Sequence, residues 1–336
     1  MTDGGFILRA RAEAEQLEVE LLSPGATRSA ASMGRAVPEE PDEWRTAFER
    51  DRDRIVHSKA FRRLKHKTQV FINPEDDHFV TRLTHTLQVD QIGGSIARYL
   101  SLNVPLTEAI ALGHDVGHSP FGHTGEEALS EFVDGAWRHS EQSVRIFAAL
   151  EPLNLTTEVL DGIVAHPWKV EVPPSTPEGK VVRFADRIAY LAHDALDAVR
   201  ARILTPDDFP AVALGTLGEP GRAWVETMIE SVVNESMATG EIAMSEQTLD
   251  VLLEVRAFMF DNVYLHGEAE PQRRRAREII RDLVGYYLEH PHEIPATYRH
   301  NDAETLTQVL DYVSGMTDRY TLRVHDELFR PKLFLS

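Results

Sequence analysis

Residues Gly113–Glu126 read GHDVGHSPFGHTGE, and this stretch decides how the rest of the chain is read. Three histidines, an aspartate and a glutamate stand in a segment broken by Gly113, Gly117, Pro120, Gly122 and Gly125. Upstream, Leu106, Ala109, Ile110 and Leu112 recur at helical spacing behind Thr107 as a candidate N-cap. The spacing predicts a buried helix that ends near His114 and Asp115. Adjacent helical residues point about 100° apart, but both reach an ion lying close to the axis of a helix that is ending. A neutral imidazole beside a carboxylate suits a borderline divalent metal such as Mn, Fe, Co, Ni or Zn. A lone His-Asp pair is usually an N-cap or a surface hydrogen bond; the density of polar groups in an apolar frame sets this one apart.

Working outward, TRLTHTLQVDQIGGSIARYL (81–100) places Leu83, Leu87, Ile92, Ile96 and Leu100 on one stripe, with His85 beside it. A single histidine there is more often a satisfied core residue than a ligand. Downstream, Glu127–Phe132, Glu141–Leu150 and Thr156–His166 read as helices, with His139 just before the second. A Pro-rich loop, VEVPPSTPEGK, then precedes a long helix from Val181 to Arg202. That helix carries Asp186, Tyr190 and Asp194 on one face, since four-residue steps stay together. A buried acid, tyrosine and acid need partners; a cation is one for Asp186, and ion pairs to Arg183 and Arg187 on an exposed stripe are the bland alternative. The remainder is helical: Arg222–Thr239, Glu246–His266, Arg273–Glu289, Glu304–Gly315 and Arg319–Phe329. No alternating strand run appears, so the expectation is an all-α fold. Residues 1–40 read as an arm on the surface, and 41–336 as one helical domain, with the metal-site core in about 52–200 and a C-terminal helical part in about 206–336.

Composition narrows the function. The 336 residues are 42% apolar and 26% charged, which is ordinary for a globular chain. No run of about 18 apolar residues suggests a membrane span, and MTDGGFILRARAEAEQ lacks a signal-peptide core. The absence of cysteine excludes disulfides and thiolate sites and fits a cytoplasmic location. A formal charge of −19 argues against general nucleic-acid affinity. It also makes Arg45–Lys67 conspicuous, with nine Lys/Arg against Glu49, Asp51 and Asp53. An exposed helix with i,i+4 pairs is the bland reading; Lys59–Gln69, which has no acid, suits phosphate recognition. Arg54 and Arg62 are the candidates there. Nucleotide-binding Gly-rich loops, HExxH and GxSxG are all absent. The better assembly takes His85, His114-Asp115 and Asp186 from three helices to one ion, leaving coordination open for water and substrate.

These residues resemble a known family. RDRIVHSKAFRRLKHKTQVF (52–71), RLTHTLQV (82–89), GHDVGHSPFGHTGEEAL (113–129), HSEQSVRIF (139–147), RFADRIAYLAHD (183–194) and SGMTDRYTL (314–322) are similar to deoxyguanosine triphosphate triphosphohydrolases and their compact bacterial relatives within the HD-domain phosphohydrolases. The resemblance implies a helical HD fold and cleavage of a deoxynucleoside triphosphate, dGTP or several dNTPs, to deoxynucleoside and intact triphosphate. It implies His85, His114, Asp115 and Asp186 as ligands of a divalent metal (Mg, Mn, Co, Ni or Fe), and His123, Glu126, His139 and His118 as catalytic groups. Arg82 would contact phosphate, Gln69 and Val70 the deoxyribose, Tyr190 the sugar face, and Asp194 the neighbourhood of the 3′-hydroxyl. Family members commonly form hexamers or tetramers, and some are activated by a nucleotide at a second site; weak single-stranded DNA binding is a further expectation for the basic run. The readings that compete are an HD nucleotidase or phosphodiesterase with another leaving group, and a nucleotide-binding regulatory protein. The SGMTDRY segment carries no catalytic assignment beyond bracing the C-terminal helices.

Overall fold

Short polar residues and prolines set the helix limits. Thr46, Ser58, Thr81, Asn103, Thr176, Ser245 and Thr317 each accept a backbone N–H in the first turn of a helix, each contact contributing about 1 kcal/mol. In the computed structural model, which describes residues 7–72, 78–264, 270–299 and 303–331, the architecture is helical and no β-strand occurs among the described residues. The helices run α1 (Arg11–Leu21), α2 (Ala47–His57), α3 (Lys59–Arg63), α4 (Arg82–Tyr99), α5 (Val104–Gly113), α6 (His123–Ser130), α7 (His139–Arg145), α8 (Thr157–Ala165), α9 (Pro177–Arg200), α10 (Ala211–Leu217), α11 (Arg222–Thr239), α12 (Glu246–Met259), α13 (Glu270–Glu289), α14 (Thr305–Ser314) and α15 (Asp318–Phe329).

Several limits differ from the sequence reading for local reasons. The cap of α5 is Asn103, whose Oδ1 accepts from Leu106 N at 3.2 Å, and not Thr107, whose hydroxyl donates back to Asn103 O at 3.0 Å. α9 begins inside the Pro-rich loop, because Thr176 caps it and Pro177 takes the first helical position, where its missing N–H costs nothing. α7 and α12 each pass into a wider π-helical turn, Ile146–Leu150 and Phe260–Tyr264; the end expected at His266 lies outside the described residues.

α5 is the apolar centre. It packs against α2, α4, α8 and α9, and Leu106, Ala109, Ile110 and Ala111 are fully buried. Burying a leucine or isoleucine side chain contributes roughly 1.5–3 kcal/mol. A second cluster joins α13, α14 and α15 through Ile280, Leu283, Val284, Val309, Val313 and Val324. The stretch after α5 crosses between the two: Val116 belongs to the first cluster, Phe121, Ala128 and Leu129 to the second.

The segment expected as a surface arm is sewn down by buried carboxylates. Glu178 accepts Thr27 N and Asn103 N, both at 3.0 Å, and the Thr27 hydroxyl at 2.7 Å. Glu158 takes Met33 N at 2.6 Å and the Ser32 hydroxyl at 2.9 Å. Asp51 holds the guanidinium of Arg35 together with Thr156 N and its hydroxyl. The acids sit on α2, α8 and α9, so the chain before α2 is fastened from three sides.

Candidate metal centre and active site

At the C-terminus of α5 the first pole of the site forms. His114 donates Nδ1–H to Ala111 O at 2.6 Å, which leaves a lone pair on Nε2. That Nε2 is fully buried and has no hydrogen-bond partner. It lies 3.9 Å from Asp186 Oδ1, and His85 Nε2 lies 3.1 Å from the same oxygen. The three donors on α4, α9 and the end of α5 converge within 4.8 Å of one another. Asp115 faces them with both oxygens: Oδ1 lies 3.4 Å from His114 Nε2, and Oδ2 lies 3.9 Å from His85 Nε2 and 2.7 Å from Arg82 Nη1. An orphaned imidazole nitrogen beside a second imidazole and two carboxylates is the donor set of a borderline divalent ion, so these residues fit one.

The second pole is histidine-rich. Asp115 Oδ1 lies 3.3 Å from His118 Nε2 and 3.8 Å from His139 Nε2. His118 and His139 stack at 3.8 Å. Glu126 joins the next pair: Oε1 is 2.6 Å from His139 Nδ1, and Oε2 is 2.6 Å from His123 Nδ1. His123 is the exposed member, so a carboxylate orients an imidazole whose other nitrogen is open to solvent. That is the arrangement proton transfer requires.

Backbone geometry makes these approaches possible. Gly117 passes against α7, where Ser143 Oγ accepts its N–H at 2.9 Å and donates to His114 O at 2.9 Å; a Cβ at 117 would collide with the α7 backbone at His139 and Ser143. Gly122 has φ +59° and starts the turn into α6. From the far side, Lys67 Nζ donates to His118 O and to Ser314 O, and Asp318 accepts Thr68 N at 3.0 Å and Phe121 N at 3.1 Å.

Charge is balanced unevenly. Burial would raise the Asp115 pKa, yet His114, Arg82 and His118 beside it hold it well below the carboxylate range. Burial opposes ionisation of Glu126 too, and His139, His118 and His123 outweigh it. Burial drives His118 well below its ordinary value, and His166 down to about 3. His85 and His139 move upward despite burial, through Asp186 and Glu126 respectively. One helical turn past Asp186, burial lifts Asp194 to about 8.

The other expected site residues divide. Arg82 is buried with its Nε unpartnered, and Gln69 Oε1 is a buried acceptor without a partner; Val70 is half-buried beside it. Tyr190 stacks on Tyr264 at 5.4 Å, and the Tyr264 hydroxyl donates to Asp194 Oδ2 at 3.0 Å. Asp186 does not pair with Arg183 or Arg187: Arg183 donates to Pro167 O at 3.3 Å and Arg187 lies over Trp168 at 4.9 Å. Arg54 and Arg62 are not brought to the site. Arg54 donates to Leu153 O, Asn154 O and Glu39, and Arg62 to His57 O and Ser58 O. Nor is the basic run one cationic face, because Arg45, Arg50 and Arg52 are ion-paired and Lys67 is buried.

Three residues that the sequence reading passed over belong here. His166 donates Nδ1–H to Ile163 O at 2.7 Å and turns Nε2 to within 3.2 Å of His139 Nε2. Its one sequence signal is a histidine closing a helix just before Pro167, the same C-terminal placement as His114. Tyr264 and Lys67 carry no local signal, since their partners are distant in sequence.

Comparison with known proteins adds to this geometry. Residues 82–191 match the model of the HD domain, and 242–327 that of a phosphohydrolase-associated domain. The chain is 47% identical over 331 residues to a deoxyguanosinetriphosphate triphosphohydrolase-like protein of Caldanaerobacter subterraneus, covering 96% of this chain and 97% of the relative. A protein of the same description from Clostridium perfringens is 43% identical, with 98% and 100% covered. Among solved structures, a phosphohydrolase from Bacteroides thetaiotaomicron shares the fold with a TM-score of 0.53 at 19% identity, covering 83% of this chain and 68% of that one.

Proposed function

The chain belongs to the deoxyguanosinetriphosphate triphosphohydrolase-like family of HD-domain phosphohydrolases, and from that premise we propose that it hydrolyses deoxynucleoside triphosphates to deoxynucleoside and inorganic triphosphate. The observation that carries the reading is the buried, unpartnered His114 Nε2 aimed at Asp186 and His85, set beside a carboxylate-oriented His123. His85, His114, Asp115 and Asp186 are the residues to hold a divalent ion. When bound, such an ion supplies Lewis acidity and positive charge at the phosphoryl group.

The chain's own side chains do the remainder. Arg82 holds Asp115 in place through Nη1, and its unpartnered Nε is a donor free for a phosphate oxygen. A triphosphate brings about four negative charges, so this guanidinium and the half-buried Arg187, which forms no ion pair among the described residues, offset part of them. Glu126 accepts Nδ1–H from His123 and orients the ring with Nε2 towards solvent; Nε2 takes a proton from the attacking water, and the imidazolium so formed gives it to the leaving 5′-oxygen. Gln69 Oε1 accepts from a sugar hydroxyl, and the Tyr190–Tyr264 stack closes the far wall around Asp194.

Each dNTP, incubated with Mn²⁺ or Mg²⁺ and resolved by anion exchange, tests the reading. Deoxynucleoside plus intact triphosphate is the expected product. Pyrophosphate or orthophosphate instead would make the protein a nucleotidase or phosphodiesterase on the same centre. Mixed dNTPs test for an activating nucleotide, and sedimentation tests for the hexamer or tetramer.

A further inference from the structure

Arg187 is half-buried and makes no ion pair among the described residues, although Asp186 immediately precedes it. It meets an aromatic face instead. Its Cζ stands 4.9 Å from the centroid of the Trp168 ring, inside the roughly 6 Å over which such a ring attracts a cation. The indole, itself half-buried, is held against turning. Its Nε1–H donates to Arg183 O at 2.9 Å, and the ring meets Phe184 edge-to-face at 5.4 Å. Arg183 in turn reaches Pro167 O at 3.3 Å, so α9 and the loop after α8 are latched from both sides.

The kind of support decides what the guanidinium can do. A carboxylate that grips an arginine takes up two of its donors and cancels its charge. An aromatic face orients the planar group from above and leaves both the charge and the in-plane N–H donors available. Arg256 repeats the arrangement, with Cζ 4.6 Å over the Phe260 ring and no ion pair among the described residues. The groups that act on Arg187 are Asp186, Arg256, Tyr190 and Tyr264, which places it on the side of α9 that faces the site. Two neighbouring guanidiniums without acids repel, and a ligand carrying several negative charges relieves that repulsion.

We propose that Trp168 is a positioning residue: its indole face holds the Arg187 guanidinium beside Asp186 with charge and donors open to phosphate oxygens. The indole acts on the ligand only through Arg187. The proposal rests on the reading that the substrate carries a polyphosphate chain.

Inorganic triphosphate, titrated calorimetrically into the native protein with Mg²⁺ held constant, is the probe. Trp168→Leu should bind it about 10-fold more weakly, and Trp168→Phe within about 3-fold of native, because phenylalanine keeps a weaker face. Arg187→Gln should lose about as much as Trp168→Leu, and the double variant no more than Arg187→Gln alone, as when one residue works through the other. An indole that only supports the fold would give additive losses with Trp168→Phe no better than Trp168→Leu, which would overturn the proposal. Unchanged affinity in Trp168→Leu, or no binding of triphosphate by the native protein, would overturn it too. Where Trp168→Leu fails to fold, fluorinated tryptophan at all four tryptophans keeps the ring shape and weakens its negative face. Weaker triphosphate binding there, absent in fluorinated Trp168→Phe, supports the role; equal binding overturns it. Product analysis judges the hydrolysis separately: release of pyrophosphate or orthophosphate from dNTPs would end that reading, while the triphosphate affinities still decide this one.

Discussion

Two regions of this molecule bury carboxylates, and they do so in opposite ways. Around the N-terminal segment and the C-terminal helices, Asp51, Glu178 and Asp318 accept backbone N–H groups and hydroxyls, and burial leaves each of them above its ordinary pKa. At the histidine cluster, Asp115 and Glu126 are surrounded by imidazoles and Arg82 and lie well below theirs. The first set is satisfied by donors that the fold itself supplies. The second is held ionised by Arg82 and the imidazoles packed round it, in a pocket where His114 Nε2 and Arg82 Nε lack partners. A buried polar group with every bond made is architecture, whereas one with bonds left open is chemistry in waiting.

The contrast is breakable by substitution. Asp115→Asn, which keeps an oxygen to accept from Arg82, should lose at least about 10³-fold in hydrolysis, near 4 kcal/mol of transition-state stabilisation, while its melting temperature falls by only a few degrees. A large loss of stability instead would put Asp115 with the architectural acids. Asp318→Ala should show the reverse, destabilised by about 3 kcal/mol in urea because Thr68 N and Phe121 N lose their acceptor and buried Lys67 loses a nearby counter-charge. Glu126→Gln should lower the rate by roughly 100-fold with Mn²⁺ uptake unchanged, and a parallel loss of metal would remove its assignment as an orienting group.

The smallest effect is a pH dependence far from the site. Glu178 has its pKa raised from 4.5, burial being the main cause, so its contribution is fully present below 4.5 and declines as pH rises through the native value. The stability lead of wild type over Glu178→Gln should therefore be greater at pH 4 than at pH 7. A lead that grows with pH would reverse the sign of the argument.

Much of this was legible in the chain itself. The all-α class follows from helical spacing with Gly/Pro punctuation, and side-chain caps mark seven of the helix starts. His85 and Asp186 each sit on a helix whose apolar stripe dictates its facing, and His114 and Asp115 meet them from the turn that ends α5. Arg54 and Arg62 escaped the same logic, since a basic run says nothing about which carbonyls will arrive to consume it; Leu153 and Asn154 come from about a hundred residues away. Lys67 was not singled out within that run, because the carbonyls of His118 and Ser314 that it meets are distant in sequence. His166 and Tyr264 were passed over because a histidine or a tyrosine on an apolar helix is ordinary until its neighbour across the pocket is known. Asp318, read as a brace for the C-terminal helices, instead caps the backbone at Thr68 and Phe121, far earlier in the chain.

The Lys67 and Asp318 contacts also bear on how the protein is born. Every residue of the first metal pole has left the ribosome once Asp186 is out, yet the loop carrying His118 and Phe121 is tied to Ser314 and Asp318. At roughly 5–20 residues per second, that tether arrives on the order of ten seconds after the last ligand. For that interval the nascent chain carries the proposed metal ligands without the clasp on the loop that follows them.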